Sequence, residues 1–410
     1  MNRGIALLML WLLYAAGASA GTQVLRYAPG NGVARLEVTT TGAVVLAQEG
    51  AGRLLWRYSA GATGFDGGAT PDATPCHGAV EIVLVHDDLN HDGLVDPQAG
   101  DTARLYVSSS WSAAVPQAFA VSTISAVDIS QPRAPRVLWV RDGRTLPDLG
   151  LLAASVTPAR IRVGSSNRDP RHNVLVFGAG LPLQTRSTAN SASGRRLYIV
   201  DALDGRLLWS GAASTGNQTF VAMQAAFAGG IAALDLNADG YTDRLYAGDL
   251  ASSLWRFDVW QGQSVRSLLT GGVIAALANP LTATARGFRS APDVALLTNA
   301  GSQPSFSIGI GTQALPGAGV TADNWFFLVR DLHPFERWTQ TRYDTTPALR
   351  AADLTLVDTL AATGPGTTSA GLRIPLGAGQ VAAQATTAAR VSFFTVVEQG
   401  VADERFCVTP

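Results

Sequence analysis

The chain has 410 residues, 47% of them hydrophobic and only 15% charged, with a formal net charge of −1. That apolar content supplies a large packed core and excludes a disordered chain, and the lack of a basic surplus excludes electrostatic capture of nucleic acid or of an anionic lipid surface. Its 43 glycines and 20 prolines punctuate the sequence with turns and argue against long helices.

The first element in chain order is a secretion signal over residues 1–20. Arg3 supplies a positive n-region, residues 5–14 a short apolar run, and Ala18-Ser19-Ala20 the small residues of a cleavage site. The run is short for a membrane span, and no cysteine directly follows Ala20 to make a lipoprotein. The expectation is an exported protein whose mature chain starts at Gly21. The two cysteines, Cys76 and Cys407, lie near opposite ends of that chain. Export permits their oxidation, and spacing leaves a ring-closing disulfide and two free thiols both open.

A strand ending in leucine-tryptophan then recurs: Gly52-Arg53-Leu54-Leu55-Trp56, Arg136-Val137-Leu138-Trp139, Gly205-Arg206-Leu207-Leu208-Trp209 and Ser253-Leu254-Trp255. Ahead of the third copy, Leu197-Tyr198-Ile199-Val200-Asp201 reads as a strand. Leu203-Asp204-Gly205 follows as a turn whose glycine can take positive φ. One such hairpin has two free edges and a bare apolar face and is not stable alone. Four-stranded sheets repeated around an axis hide both. The expected fold is therefore all-β, a β-propeller formed by one domain over residues 21–410, with the tryptophans packing between blades. An irregular β-sandwich or β-solenoid is the alternative. Residues 313–322 and 361–370 read as loops, without the length or composition of an interdomain linker.

Two segments share one unusual pattern. The first is Asp88-Leu89-Asn90-His91-Asp92-Gly93-Leu94-Val95-Asp96, and the second is Asp235-Leu236-Asn237-Ala238-Asp239-Gly240-Tyr241-Thr242-Asp243. Each precedes a strand expected to begin Arg-Leu-Tyr, at Arg104 and Arg244. This is the spacing of the first nine positions of an EF-hand loop. Oxygen side chains at positions one, three and five converge as the backbone curls, glycine at six permits the bend, seven offers its carbonyl, and nine ligates directly or through water. The candidate ligands are Asp235, Asn237, Asp239, Asp243 and the Tyr241 carbonyl in the second loop. In the first they are Asp88, Asn90, Asp92, Asp96 and the Leu94 carbonyl. Three carboxylates and one amide suit Ca²⁺ and suit zinc or copper poorly.

Position twelve, a bidentate glutamate in an EF-hand, is Ala99 or Tyr246 here. These are therefore calcium loops on a β-framework, with weakened affinity. The bland alternative is a pair of Asx-rich turns. The second loop is the favoured site, because Pro97-Gln98-Ala99-Gly100 lengthens the first. Asp101 and Asp249 lie nearby with no role that sequence alone assigns.

The second loop in context, from Ala233 through Leu250 and on to Leu254-Trp255-Arg256-Phe257-Asp258, resembles the signature of the C-terminal propeller of PilY proteins, tip-associated assembly factors and adhesins of type IV pili. Ala126-Val127-Asp128-Ile129-Ser130, Val174-Leu175-Val176-Phe177-Gly178-Ala179-Gly180 and Ser307-Ile308-Gly309-Ile310-Gly311-Thr312 are similar to other strands of the family in the same order. The likeness spans residues 100–407, and residues 21–99 match less clearly. It implies a modified seven-bladed propeller with calcium held by Asp235, Asn237, Asp239, Asp243 and the Tyr241 carbonyl. It also implies partnership with minor pilins and the pilus machinery, and location in the periplasm and at the pilus tip or cell surface. Membrane contact would run only through that apparatus. In the family, calcium influences pilus extension, retraction and twitching motility. Two departures stand out. No segment is long enough for the von Willebrand A-like domain of many members, and Arg141-Asp142-Gly143 is not the Arg-Gly-Asp of some adhesins.

Catalytic signatures are absent from the sequence. It has no G-x-S-x-G elbow, no H-E-x-x-H and no phosphate-binding G-x-x-x-x-G-K-[ST]. The five histidines, His77, His86, His91, His172 and His333, show no ligand spacing. Neither enzyme activity nor a small-molecule substrate is expected. Two other propeller readings compete: a quinoprotein, from the likeness of residues 200–209 to a tryptophan-docking repeat, and an outer-membrane assembly scaffold, which accounts for the repeats but not the loops.

Overall fold

A computed structural model of the chain describes residues 22–28, 32–41, 44–65, 80–111, 121–152, 154–165, 173–182, 194–277, 286–298, 303–314, 323–357, 370–388 and 390–398. The expected signal segment, both cysteines, His77 and His172 lie outside the described residues, as do 315–322 and 361–369 of the expected loops.

The strands form consecutive antiparallel sheets. The first holds β1 (Gln23–Tyr27), β2 (Ala34–Thr41), β3 (Val44–Glu49) and β4 (Arg53–Ser59) in sequence order. The second holds β5 (Val80–Asp87), β6 (Thr102–Trp111), β7 (Val121–Asp128) and β8 (Arg136–Asp142). The third comprises β9 (Thr157–Ala159), β10 (Val174–Gly178), β11 (Arg196–Asp201), β12 (Leu207–Ala212) and the short parallel β13 (Gln218–Thr219). The fourth comprises β14 (Ile231–Leu234), β15 (Arg244–Gly248), β16 (Ser253–Val259) and β17 (Leu269–Ala276). A fifth is built on β18 (Arg286–Phe288), β19 (Asp293–Leu297), β20 (Ser305–Ala314) and β21 (Asn324–Asp331).

After β21 the chain leaves its own sheet. It forms the short helix α1 (Gln340–Thr345), capped by the Thr339 side chain, which accepts from the Arg342 N–H. It then adds β22 (Leu349–Arg350) to the fourth sheet, parallel to β17. It returns to the fifth sheet as β23 (Thr355–Leu356) and β24 (Gly371–Gly377). Two ribbons follow: β25 (Gly379–Val381) pairs with β28 (Val396–Glu398), and β26 (Thr386–Ala388) with β27 (Val391–Phe393). No helix among the described residues is long and apolar enough to cross a membrane.

Each sheet shares a core with the next. Leu36, Val38 and Trp56 pack with Ile82, Leu105 and Val127, then Ile124 and Trp139 with Leu175, Phe177 and Tyr198. Val176, Ile199 and Trp209 meet Leu245, Trp255 and Phe257, and Tyr246 and Leu254 meet Phe288, Ile308 and Phe327. Position in this stack decides the strand pattern. In β1, Leu25 and Tyr27 are buried while Val24 and Arg26 face water, the alternation of a sheet with one covered face. β10, β11 and β15 are buried at every position, because their sheets have a neighbour on both sides. The architecture is all-β and propeller-like. Five sheets and two ribbons account for its described strands, and the expected count of seven blades is not reached among them.

In the first three of its four copies the leucine-tryptophan repeat is a β-bulge. Trp56 lies opposite Ala47, but Gln48 already pairs with Leu54, so Leu55 is the extra residue. Leu138 is extra beside Trp139 and Leu208 beside Trp209 in the same way. An extra residue sharpens the twist and re-aims its neighbour. The re-aimed tryptophans reach the following sheet: Trp56 Nε1 donates to the Pro132 carbonyl at 2.8 Å and Trp139 Nε1 to the Ala202 carbonyl at 3.2 Å. Gly205, at φ 69, lies under the Trp139 ring, where a Cβ would sit 2.6 Å from its Cδ2.

Candidate functional site

Both Asx-rich loops join the first strand of a sheet to its second, β5 to β6 and β14 to β15. Their identical patterns produce the same backbone. Position four is left-handed without being glycine, at His91 (φ 59) and Ala238 (φ 58), and position six is a left-handed glycine, Gly93 (φ 78) and Gly240 (φ 84). The leading aspartate curls each loop. Oδ2 of Asp88 accepts from the Gly93 N–H at 2.8 Å, and Oδ2 of Asp235 from the Gly240 N–H at 2.7 Å. Asn90 Nδ2 donates to Asp92 Oδ2 at 3.0 Å and Asn237 Nδ2 to Asp239 Oδ2 at 3.1 Å. The N–H groups of Leu94 and Tyr241 donate to Oδ1 of Asp92 and Asp239, both at 2.8 Å. Position eight staples each loop to the preceding sheet. The Val95 N–H donates to the Arg26 carbonyl at 3.0 Å, and the Thr242 N–H to the Arg160 carbonyl at 2.9 Å.

Positions one, three and five are thus brought together in both loops. Their donors are all oxygen and mostly anionic, and a carboxylate oxygen holding one N–H keeps a lone pair for another partner. Oδ1 of Asp88 is buried with no hydrogen-bond partner among the described residues, and an orphaned buried carboxylate oxygen is costly. Such a set fits a hard divalent cation. Partial burial pushes the Asp88 carboxyl up, but the N–H groups of Gly93, His91 and Asp92 outweigh it and hold it below the usual carboxylate range.

Position nine is where the loops depart from a closed ligand set. Asp243 is buried, accepts from the Leu236 N–H at 2.9 Å, and pairs through its other oxygen with Arg337. In the first loop Asp96 instead caps the short turn at Pro97–Ala99, accepting from the Gln98 N–H at 2.9 Å. The counterpart of Asp243 is Asp101, also buried and also the residue just before the sheet's second strand. It accepts from the Leu89 N–H at 2.8 Å and the Asp96 N–H at 3.0 Å. The strand begins at Thr102, two residues earlier than the Arg-Leu-Tyr pattern suggests. Among the described residues no three His, Cys, Asp or Glu side chains are drawn into one cluster.

Beyond Asp243 lies a buried ion network that sequence reading missed. The side chains of Arg244, Arg256 and Asp258 are 0% exposed and that of Asp331 5%. Arg244 Nε meets Asp258 at 2.8 Å, and Arg256 meets Asp258 at 3.1 Å and Asp331 at 3.0 Å. Asp258 also accepts from the Tyr343 hydroxyl and the Trp338 N–H, each at 2.8 Å. The Tyr246 hydroxyl donates to Asp331 at 2.6 Å. Burial, reinforced by the Asp331 charge, pushes that hydroxyl well above its ordinary range. Arg244 donates to the Glu336 carbonyl at 2.6 Å. The network therefore clamps residues 331–343 onto the fourth sheet, and this is how Arg337 reaches Asp243. Arg256 and Asp258, two apart on one strand, share a face; that spacing was the available signal.

Stacked sheets with paired Asx-rich loops define a propeller-like all-β protein with two candidate cation loops. No family model matches the chain. Over 137 residues it is 28% identical to the type IV pilus biogenesis factor PilY1 of Pseudomonas aeruginosa, a stretch covering 33% of this chain and 10% of that relative's length. Its structure is similar to the crystal structure of the PilY1 C-terminal domain of Pseudomonas aeruginosa, with a TM-score of 0.57 at 15% identity over 88% of this chain and 75% of that one. The resemblance to the PilY family read from the loop and strand motifs thus recurs in sequence and in fold.

Proposed function

We propose that this chain is an exported, calcium-binding protein that works with the type IV pilus machinery, contacting minor pilins at the periplasmic face or pilus tip. Its role is in assembly rather than catalysis, and it supports pilus extension, retraction, twitching and surface adhesion. The observation that carries the pilus reading is the PilY1 likeness in both sequence and fold. On this reading the five sheets are consecutive blades of a modified seven-bladed propeller, supported by the core that each shares with the next.

The calcium reading rests on two loops with matching hydrogen bonds at matching places in two sheets. Asp235, Asn237, Asp239, Asp243 and the Tyr241 carbonyl would hold one ion, and Asp88, Asn90, Asp92, Asp96 and the Leu94 carbonyl the other, with Asp101 at the first loop's closing position. Bound calcium neutralises the crowded carboxylates of each turn and locks the loop to the strand that follows. An ion that binds only the folded loop adds about 2.7 kcal/mol at a hundred times its dissociation constant. The double variant Asp92→Ala/Asp239→Ala is expected to lose the rise in melting temperature that calcium gives over chelator. Cells carrying it are expected to show altered twitching. Equal calcium shifts in the variant and the parent protein would refute the calcium reading, and normal twitching in a clean deletion would refute the pilus reading.

A further inference from the structure

The two loops match in backbone and differ in electrostatic surroundings. In the first, Asp88, Asp92, Asp96 and Asp101 have no ion-pair partner among the described residues, and nothing lies within 4 Å of the place a Gly93 Cβ would take. The second is ringed by arginine. Arg337 pairs with Asp243, the Arg160 guanidinium nitrogen lies 3.6 Å from the corresponding Cβ position of Gly240, and Arg162 stacks 4.2 Å from the Tyr241 ring centre. Asp243 is 3% exposed at its side chain, so its carboxylate meets few partners besides Arg337 and the Leu236 N–H. Arg337 is itself held from behind, its guanidinium 5.5 Å from the Trp260 ring. The clamp on residues 331–343 also fixes the backbone on either side of it.

We propose that Arg337 is a built-in counter-cation that sets the calcium affinity of the second loop. This rests on the calcium reading above. The arginine neutralises the position-nine carboxylate from outside, so a divalent ion entering the loop must share or displace it. Among the described residues the first loop has an uncommitted buried oxygen on Asp88 and a closing carboxylate, Asp101, that pairs with no arginine. It therefore fills at lower calcium, reversing the order suggested by sequence.

The experiment is calorimetric titration of the full chain with Ca²⁺. Asp92→Ala silences the first loop and reports the second, and Asp239→Ala does the converse. The Asp239→Ala protein is expected to bind tighter than the Asp92→Ala protein; equal or reversed affinities overturn the proposal without any change at Arg337. In the Asp92→Ala background, Arg337→Gln is expected to tighten binding on the order of tenfold, the effect of one nearby, partly screened charge. Arg337→Lys keeps the charge and is expected to leave the affinity near that of the parent. Unchanged or weaker binding on Arg337→Gln overturns the assignment of Arg337 alone. Absence of binding heat in the unaltered chain and in every variant overturns the calcium reading beneath it.

Discussion

Removing the Asp258 carboxylate should be among the most damaging single changes outside the apolar core. Asp258 takes Arg244 Nε at 2.8 Å, Arg256 at 3.1 Å, and the Trp338 N–H and Tyr343 hydroxyl at 2.8 Å. Two guanidinium groups and two carboxylates balance within this buried cluster. Asp258→Ala leaves two buried cations facing the one anion of Asp331. Breaking a buried pair by deleting one partner costs about 3–5 kcal/mol, because the other charge is stranded. That is a large fraction of the roughly 5–15 kcal/mol that holds a domain folded. The control is Arg144→Ala. Arg144 meets Asp142 at 2.7 Å, shorter than any pair to Asp258, but its side chain is 92% exposed. An exposed pair contributes only about 0–1 kcal/mol. Urea unfolding followed by tryptophan fluorescence measures both. A loss below about 1 kcal/mol for Asp258→Ala, or one no larger than for Arg144→Ala, would refute the reasoning that burial rather than distance sets these energies.

Gly205→Ala places a Cβ 2.6 Å from the Trp139 ring at a left-handed φ of 69. Overpacking and backbone strain together should cost roughly 2 kcal/mol or more, read as a fall in melting temperature. Asp249 gives a pH prediction. Its burial raises its carboxyl from 3.8 to about 6, against the lowering effect of donors from Trp255, Ser253 and Ala251. The folded state therefore holds this proton more tightly than the unfolded state, so its contribution is full below about pH 4 and fades as pH rises through about 6. Asp249→Asn should remove about 3 kcal/mol of pH dependence across that window; identical stability–pH curves for variant and parent would contradict it.

Much of the fold was legible because its signals are local. Alternating strands, turn glycines and the leucine-tryptophan repeat each act within a hairpin, and they led to the sheets and to tryptophans between them. The bulge at Leu55, Leu138 and Leu208 was not read, although the doubled apolar residues of Leu54-Leu55-Trp56 break strict alternation and so carry the sign of one. The number of blades depends on how distant sheets meet, and no short pattern encodes that.

The same distinction separates what was read from what was missed at the loops. Positions one to six fold through bonds between residues two to five apart, so the nine-residue pattern was enough to place them. Position nine is decided by partners from elsewhere. In the first loop five additional residues move the closing role from Asp96 to Asp101, which a fixed spacing rule cannot follow. In the second, the partner of Asp243 is Arg337, 94 residues away. It is brought there by a clamp whose charges, Arg244, Arg256, Asp258 and Asp331, are spread over three strands. A spacing pattern can therefore say that a loop has the oxygens for a cation. It does not give the charge that the tertiary fold sets beside each loop, and in that respect two loops with the same pattern here are not equivalent.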